Sequence, residues 1–482
     1  MIPKLNDPTL LKSQCLIGGE WCGLPEANVT NPANGEVIAT VPRMGSKEAQ
    51  ECIDAAFAAQ KLWAKKTAKE RANILRNWFN LIIANADDLA LILTLEQGKP
   101  LAEAKGEILY AASFVEFFAE EAKRINGEII ASPNANGRIL VLREPLGVVA
   151  AITPWNFPAA MITRKLAPAL AAGCAVVCKP AGETPLSAFA LGELANRAGV
   201  PAGVLNIING NSAQIGEVWC ASPIVRGLSF TGSTEIGKLL MRQCADTVKK
   251  LALELGGNAA FLVFDDADLE AAADGVMASK FRNTGQTCVC ANRILVQAKI
   301  LDEFVAILGR KISALKVADG LESGATQGPL IDAKAIAKVN AHIADATSKG
   351  ASIVIGGKTH AKGGNFFEPT LLIGATNSMD VAKEETFGPL CPIFKFETEE
   401  DGLAMANDTE FGLASYFYAK DLGRVFRIAE GLEAGIVGVN SGLISNEVAP
   451  FGGIKQSGLG REGSHHGIDE YTEIKYVYLG VG

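Results

Sequence analysis

The sequence predicts an α/β protein: a doubly wound parallel-sheet unit, a second α/β unit after it, and a small separate β element. Three observations carry this expectation. From Gly147 to Leu253, five short continuous apolar strands alternate with helical patterns. A second alternating series runs from about residue 261 to about residue 440. Two β-rich segments, 138–143 and 473–479, belong to neither series. Continuously apolar strands joined by helices form parallel sheets covered on both faces, and five such repeats suit a nucleotide-binding sheet.

In chain order, the first 120 residues are mostly helical, with amphipathic runs at 47–62, 68–95 and 102–124. Arg138-Ile-Leu-Val-Leu-Arg143 follows as a β segment. Gly147–Ile152 then opens the first series, and a helix over 159–172 ends at Gly173. Next come Ala175–Cys178, a helix over 185–198 stopped by Gly199 and Pro201, Val204–Ile208 and a helix near 213–221. Leu228–Phe230, a helix over 234–244 and Val248–Leu253 complete that series. In the second series the strand candidates are Phe261–Phe264, Ile294–Val296, Ile353–Ile355, Ile393–Phe396, Ser415–Tyr418 and Ile436–Val439. Helices over 267–283, 300–315, 335–349 and 421–432 separate several of them. Arg138–Arg143 and Glu473–Leu479 suit one β element, whose edge invites subunit pairing.

Composition narrows the class. The 482 residues are 48% hydrophobic and 20% charged, neither disordered nor fibrous. The net charge of −8 argues against nonspecific nucleic-acid binding. Ten scattered Cys fit a reducing compartment rather than a disulfide scaffold. The N-terminal residues do not read as a signal or transit peptide. Pro145–Thr163 is uncharged and long enough for a span, but Pro145, Pro154, Pro158 and Gly147 would break a spanning helix. A cytoplasmic protein without a membrane segment is expected.

Several segments could carry chemistry. The string Gly458-Leu-Gly-Arg-Glu-Gly463 matches a dinucleotide fingerprint, yet no strand precedes it and too little chain follows for a βαβ unit. It reads as a Gly-rich loop. Phe230-Thr-Gly-Ser-Thr-Glu-Ile-Gly237 is the better phosphate candidate, because it follows a strand and opens a helix; Ser233 is equally an ordinary N-cap. Lys179 stands at the C-terminal end of a strand, where open sheets bind ligands. Asn156, in Thr-Pro-Trp-Asn-Phe-Pro, offers a side-chain amide as an oxyanion donor or serves a structural turn. Cys288 and Cys290 form a C-x-C pair, but zinc needs about four ligands, and His342, His360, His465 and His466 are far away in sequence. No metal is expected. With no G-x-S-x-G elbow and no His in a motif-like context, a thiol nucleophile would need another base. Glu254, in Leu-Glu-Leu-Gly-Gly at a strand end, is a candidate.

Together these segments are specific. The chain resembles the aldehyde dehydrogenase superfamily over essentially its whole length. The matching strings are TPWNFP, KPA at Lys179, FTGSTEIG, LELGGN, GQTC at Cys288, EETFGP at Glu385 and Phe387, and PFGGIKQSGLGREG over 450–463. The resemblance implies NAD(P)-dependent oxidation of an aldehyde. It implies a dinucleotide-binding domain over 1–124 and 145–256, a catalytic domain over 257–456 and an oligomerisation element over 125–144 and 457–482. By the same resemblance, Cys288 attacks the aldehyde, Asn156 and the Cys288 backbone N–H hold the oxyanion, and Glu254 activates the hydrolytic water. Trp155, Lys179, Gly232, Ser233, Leu255, Glu385 and Phe387 should line the cofactor site. NAD-preferring relatives often carry Glu three residues after the motif Lys; here Gly182 stands there, with Glu183 one residue later. The missing carboxylate leaves room for a 2′-phosphate, so NADP is favoured over NAD.

Within the superfamily the resemblance is strongest to bacterial succinate-semialdehyde dehydrogenases of GABA degradation, through NWFN at 77–80, LEQGKPLAEAKGEI at 95–108, PWNFPAAMITRKLAPALAAGC at 154–174 and SNEVAPFGG at 445–453. It implies a substrate-carboxylate clamp of Arg164, Arg282 and Ser445, chemically suited by guanidinium forks. The bland alternative makes the two Arg structural ion-pair partners. Cys290 beside Cys288 is implied as a redox-switch partner, against a plain buried thiol. The runner-up substrate is glutarate semialdehyde or another short ω-carboxy aldehyde. An acylating enzyme using coenzyme A and a non-catalytic structural protein are the remaining alternatives. A homo-oligomer is expected, tetramer over dimer.

Overall fold

A computed structural model describes residues 4–481. Its first sheet has eight strands. The five expected strands form a parallel centre in the spatial order Leu205–Ile207, Ala175–Lys179, Val148–Ile152, Val225–Thr231, Lys250–Glu254. The chain works outward from Val148–Ile152 in one direction and then returns to its other side. The order therefore reverses between Val148–Ile152 and Val225–Thr231, and ligands bind off the carboxyl ends of strands at such a switch point. The turns leaving those ends contain Trp155 with Asn156, and Gly232 with Ser233.

Helices cover both faces for local reasons. Ala160–Ala172 is buried along its whole length and stops at Gly173, whose left-handed φ of 100° lets its N–H reach the Ala169 and Leu170 carbonyls. Ser233 caps Thr234–Cys244 by accepting from the Ile236 N–H. The run expected as one helix over 68–95 is two, Ala68–Ala84 and Ala86–Gln97, because the backbone leaves the helical region at Asn85. These two are bent by 72° to each other; among the described residues they are the one bent pair long and apolar enough to be tested as a span, and they bury Trp78, Ile82 and Leu93 in the first core. Among the described residues no single helix is long and apolar enough to cross a membrane.

Three further strands differ from expectation. Cys15–Ile17 and Glu20–Cys22 form a hairpin that extends the sheet beyond Leu205–Ile207. The Gly-rich string also joins it: Gly458–Leu459 pairs antiparallel with Leu253 and Glu254. A Cβ on Gly458 would stand 1.8 Å from the Leu253 carbonyl oxygen, so only glycine permits this approach. The expected strand Val248–Leu253 begins later, at Lys250, because Val248 turns the chain with φ +50°.

The second sheet has seven strands, in the order Ser352–Ile355, Thr370–Ala375, Leu390–Phe396, Ala291–Gln297, Ala259–Val263, Ala414–Tyr418, Ile436–Val439. All neighbours are parallel except the first pair. Thr370–Ala375 and the helix Glu399–Asn407 were absent from the sequence reading. A third sheet joins Glu128–Ile130, Gly137–Pro145 and Thr472–Gly480, so that the whole second sheet and the parallel centre of the first lie between its paired segments in sequence. Ile129, Ile474 and Tyr476 lie on it in solvent.

Candidate active site

Two cavities meet at Cys288. The first, about 220 Å³, lies at the switch point of the eight-stranded sheet. Trp155, Asn156, Gly232, Ser233, Leu255, Cys288, Glu385 and Phe387 all line it. The Trp155 and Phe387 rings meet edge-on at 5.5 Å. Phe387 has φ +55°, a left-handed conformation that a bulky residue takes only where its surroundings impose it. The half-buried Glu385 carboxyl accepts from the Gly257 N–H at 3.4 Å, and desolvation pushes it up to about 8. The buried Thr231 hydroxyl has no partner.

Lys179 and Gly182 lie outside this cavity. Lys179 is buried at its strand end, its ammonium donating to the Pro180 carbonyl at 3.1 Å, and burial lowers its pKa. Gly182 is exposed, and a Cβ there would find only Asn209 Oδ1, at 3.9 Å.

The second cavity holds the opposite face of Cys288, with Tyr110, Phe157, Arg164, Arg282, Ser445 and Phe451 among its walls. It shares Phe157, Arg282 and Ser445 with an outer cavity of about 670 Å³. The three residues expected as a clamp thus share one wall with the thiol. Arg164 is also an ion-pair partner: its Nη2 stands 2.9 Å from Glu462 Oε2, and its guanidinium lies 4.0 Å from the centre of the Phe451 ring. Its Nε nevertheless lacks an acceptor. Among the described residues Arg282 makes no ion pair within 4.0 Å; it lies 4.7 Å from the Phe157 ring, and its charge acts on Glu103. A guanidinium with no carboxylate within ion-pair distance, in a half-closed cavity, suits an anion.

Cys288 follows a tight turn in which Asn283 and Thr284 have φ +49° and +56°. Burial pushes its thiol up to about 12, with Arg164 pulling down and Glu385 and Glu254 pushing up. Asn156 gives one amide hydrogen to the Gln286 carbonyl at 3.2 Å, which leaves the other free. Glu254 is buried and neither carboxylate oxygen has a partner. Burial raises its pKa well above the carboxylate range, and the Glu462 charge adds to that. A Cβ on Gly452 would come within 2.9 Å of Glu254 Oε1, so the bare glycine leaves that oxygen its room. Cys290 is fully buried, its thiol on the Lys280 carbonyl at 3.5 Å, and all ten cysteines are free. Among the described residues no His, Cys, Asp and Glu group could hold a metal ion.

Glu462, Tyr110 and Lys99 escaped the sequence reading. Glu462 sat in plain view within the Gly458–Gly463 string, but its partners Arg164 and Lys165 belong to a helix in the first half of the chain. Tyr110, whose buried hydroxyl has no partner, gave no signal beyond an aromatic on a helix.

The aldehyde dehydrogenase family profile matches residues 23–477. The succinate-semialdehyde dehydrogenase [NADP(+)] of Escherichia coli K12 is 62% identical, covering 99% of this chain and 100% of that protein. The glutarate-semialdehyde dehydrogenase of Pseudomonas aeruginosa is 60% identical, covering 99% of each. The crystal structure of succinate-semialdehyde dehydrogenase from Burkholderia pseudomallei superposes with a TM-score of 0.98 at 62% identity, over 99% of this chain and 100% of that one.

Proposed function

The chain belongs to the aldehyde dehydrogenase family, and we propose that within it this protein oxidises succinate semialdehyde to succinate, NADP favoured over NAD. One observation carries the substrate: Arg282, without an ion-pair partner, and Arg164 and Ser445 share a cavity with Cys288. A carboxylate held by Arg282 and Ser445, which also line the outer cavity, would leave the far end of a four-carbon chain facing the thiol.

Cys288 sulfur bonds to the aldehyde carbon, and its proton leaves to solvent. The free Asn156 amide hydrogen and the Cys288 backbone N–H then hold the oxyanion. When bound, a nicotinamide nucleotide supplies the hydride acceptor that leaves a thioester on Cys288. The cradle fits such a group: a sheet switch point, a capped helix N-terminus after Gly232, an unpartnered Thr231 hydroxyl and the Glu385 carboxyl. Trp155, Leu255 and Phe387 would hold the ring end, and Lys179 with Gly182 the adenosine ribose end. Glu254 takes a proton from water, the hydroxyl adds to the thioester carbon, the C–S bond breaks, and succinate leaves. Burial suits this role, since a carboxyl of raised pKa is the stronger base.

The open space at Gly182 supports NADP, and the E. coli relative is named for it. Glutarate semialdehyde is the second reading. The outer cavity has room for another methylene, worth only about 1–3 kcal/mol of discrimination, and the P. aeruginosa relative is named for that substrate. The reading includes cofactor-binding segments 1–124 and 145–256, a catalytic segment 257–456 and an oligomerisation segment 125–144 with 457–482. The exposed apolar sheet at Ile129, Ile474 and Tyr476 supports a homo-oligomer, which the family resemblance favours as a tetramer over a dimer; the reading places it in the cytoplasm.

The test is initial rates on succinate semialdehyde, glutarate semialdehyde and propanal, each with NADP and NAD. We expect the semialdehyde with NADP to lead. Equal efficiency on propanal would remove the clamp, and a large NAD advantage would remove the Gly182 argument.

A further inference from the structure

We infer that Lys99 is a positioning residue for the oxyanion donor: by holding the Asn156 main-chain carbonyl, it aims the Asn156 amide at the reacting carbon. This rests on the oxyanion role proposed for Asn156. Lys99 is 1% exposed and lines neither cavity that contains Cys288. Its ammonium donates to the Asn156 carbonyl at 2.8 Å and to Glu107 Oε2 at 2.6 Å, and it lies 3.8 Å from the centre of the Phe157 ring. Burying an ion pair this deeply is costly, and an apolar pair of similar volume would commonly fold as well. Geometry is what the pair supplies here.

The surrounding bonds converge on the same turn. Glu107 Oε1 accepts from the Ala159 and Ala160 N–H groups at 2.9 and 3.2 Å, fixing the start of the helix that carries Arg164. Gln97 accepts from the Lys99 N–H at 3.0 Å and donates to Asn283 Oδ1 at 3.0 Å. Asn283 in turn donates to the Asn156 carbonyl at 3.0 Å and to the Gln286 carbonyl at 3.1 Å. The Asn156 carbonyl thus takes two donors, the Lys99 ammonium and the Asn283 amide. Its own side chain donates to the Gln286 carbonyl at 3.2 Å and accepts from the Phe157 N–H, in that same peptide plane, at 3.1 Å. Without the ammonium, the peptide plane after Asn156 loses its charged anchor, and the amide swings with it. A displacement of about 1 Å at such a group costs on the order of 10²-fold in rate.

The experiment compares Lys99→Met, the charge-balanced pair Lys99→Met with Glu107→Gln, Asn156→Ala, and Lys99→Met in the Asn156→Ala background. The double substitution guards against misfolding caused by a lone buried Glu107. In whichever of the two Lys99 variants folds, kcat should fall about 10–10²-fold, equally on succinate semialdehyde and on uncharged propanal. The semialdehyde KM should stay near wild type. Iodoacetamide should alkylate Cys288 at the wild-type rate, since the thiol is not displaced. In the Asn156→Ala background Lys99→Met should cost nothing further.

A loss confined to the semialdehyde KM would overturn the inference and make Lys99 an attractor of anionic substrate through the outer cavity. A loss that multiplies in full with Asn156→Ala, or slowed alkylation, would overturn it in favour of general packing. If Asn156→Ala is crippled while Lys99→Met is not, only this inference falls. If Asn156→Ala is itself harmless, the oxyanion assignment falls and takes it along.

Discussion

The two cavities that share Cys288 are walled in different ways. The wall that the proposed reading gives to the cofactor comes mostly from turns at the carboxyl edge of one sheet: 154–156, 231–233 and 255–256. Its character is set by glycines, backbone groups, two aromatic rings and a carboxyl held up near 8 by desolvation. The substrate-side wall comes from side chains on scattered elements: Tyr110 from Leu101–Glu121, Arg164 from Ala160–Ala172, Arg282 from a 3-10 turn and Ser445 from a loop. The difference teaches where generality and specificity reside. A wall made by sheet topology serves any substrate of the reaction. A wall made by side chains can be re-aimed by single substitutions without touching the sheet.

The largest test concerns Glu254, buried and unpartnered next to the shared thiol. Glu254→Gln should lower steady-state turnover by about 10²–10⁴-fold while a first-turnover burst of reduced cofactor survives. The sign of the pH dependence follows from its raised pKa. The base must be ionised, so wild-type thioester hydrolysis should rise with pH along a limb above the ordinary carboxylate range, and Glu254→Gln should lose that limb. Loss of the burst as well would show that Glu254 also serves the first half-reaction.

Arg282→Ala comes next and probes one wall alone. Removing a charged hydrogen-bond donor costs about 1.5–3 kcal/mol, so kcat/KM for succinate semialdehyde should drop roughly 10–10²-fold while propanal is spared. An equal drop on both would mean that the two walls are not independent. Gly182→Glu probes the cofactor side at an exposed position. Like-charge repulsion there is worth about 0.2–1 kcal/mol, so NADP efficiency should fall a few-fold with NAD unchanged. The smallest effect belongs to Cys290→Ala, which should leave turnover intact. If Cys288 and Cys290 form a reversible disulfide, peroxide inactivation should lose its recovery by dithiol in that variant; unaltered recovery excludes it.

The cofactor-side wall was legible in the sequence because each part is local. A strand, a turn with Gly232 or Asn156, and a helix start occupy a few consecutive residues. Cys288 and Glu254 were legible as candidates, and the family resemblance gave them roles. The substrate-side wall was legible only by resemblance, since nothing near Arg164 or Ser445 marks either as a cavity residue. Arg164 shows the limit best. Sequence reasoning offered a clamp or an ion pair as alternatives, and the side chain has both an ion pair with Glu462 and an unpartnered Nε.

What the sequence determined by itself was the alternation of apolar strands and helices, the net negative charge, and the local strings at Asn156, Lys179, Gly232, Glu254 and Cys288. These depend on propensity and backbone geometry within a few residues. Only the tertiary structure decided that Gly458–Leu459 closes the sheet edge, that Lys99 reaches the Asn156 carbonyl, and that Glu462 faces Arg164 and Lys165 from the far end of the chain. It also decided the chemistry of Glu254. A carboxyl's basicity depends on how much water and which charges surround it, and packing from distant segments sets both.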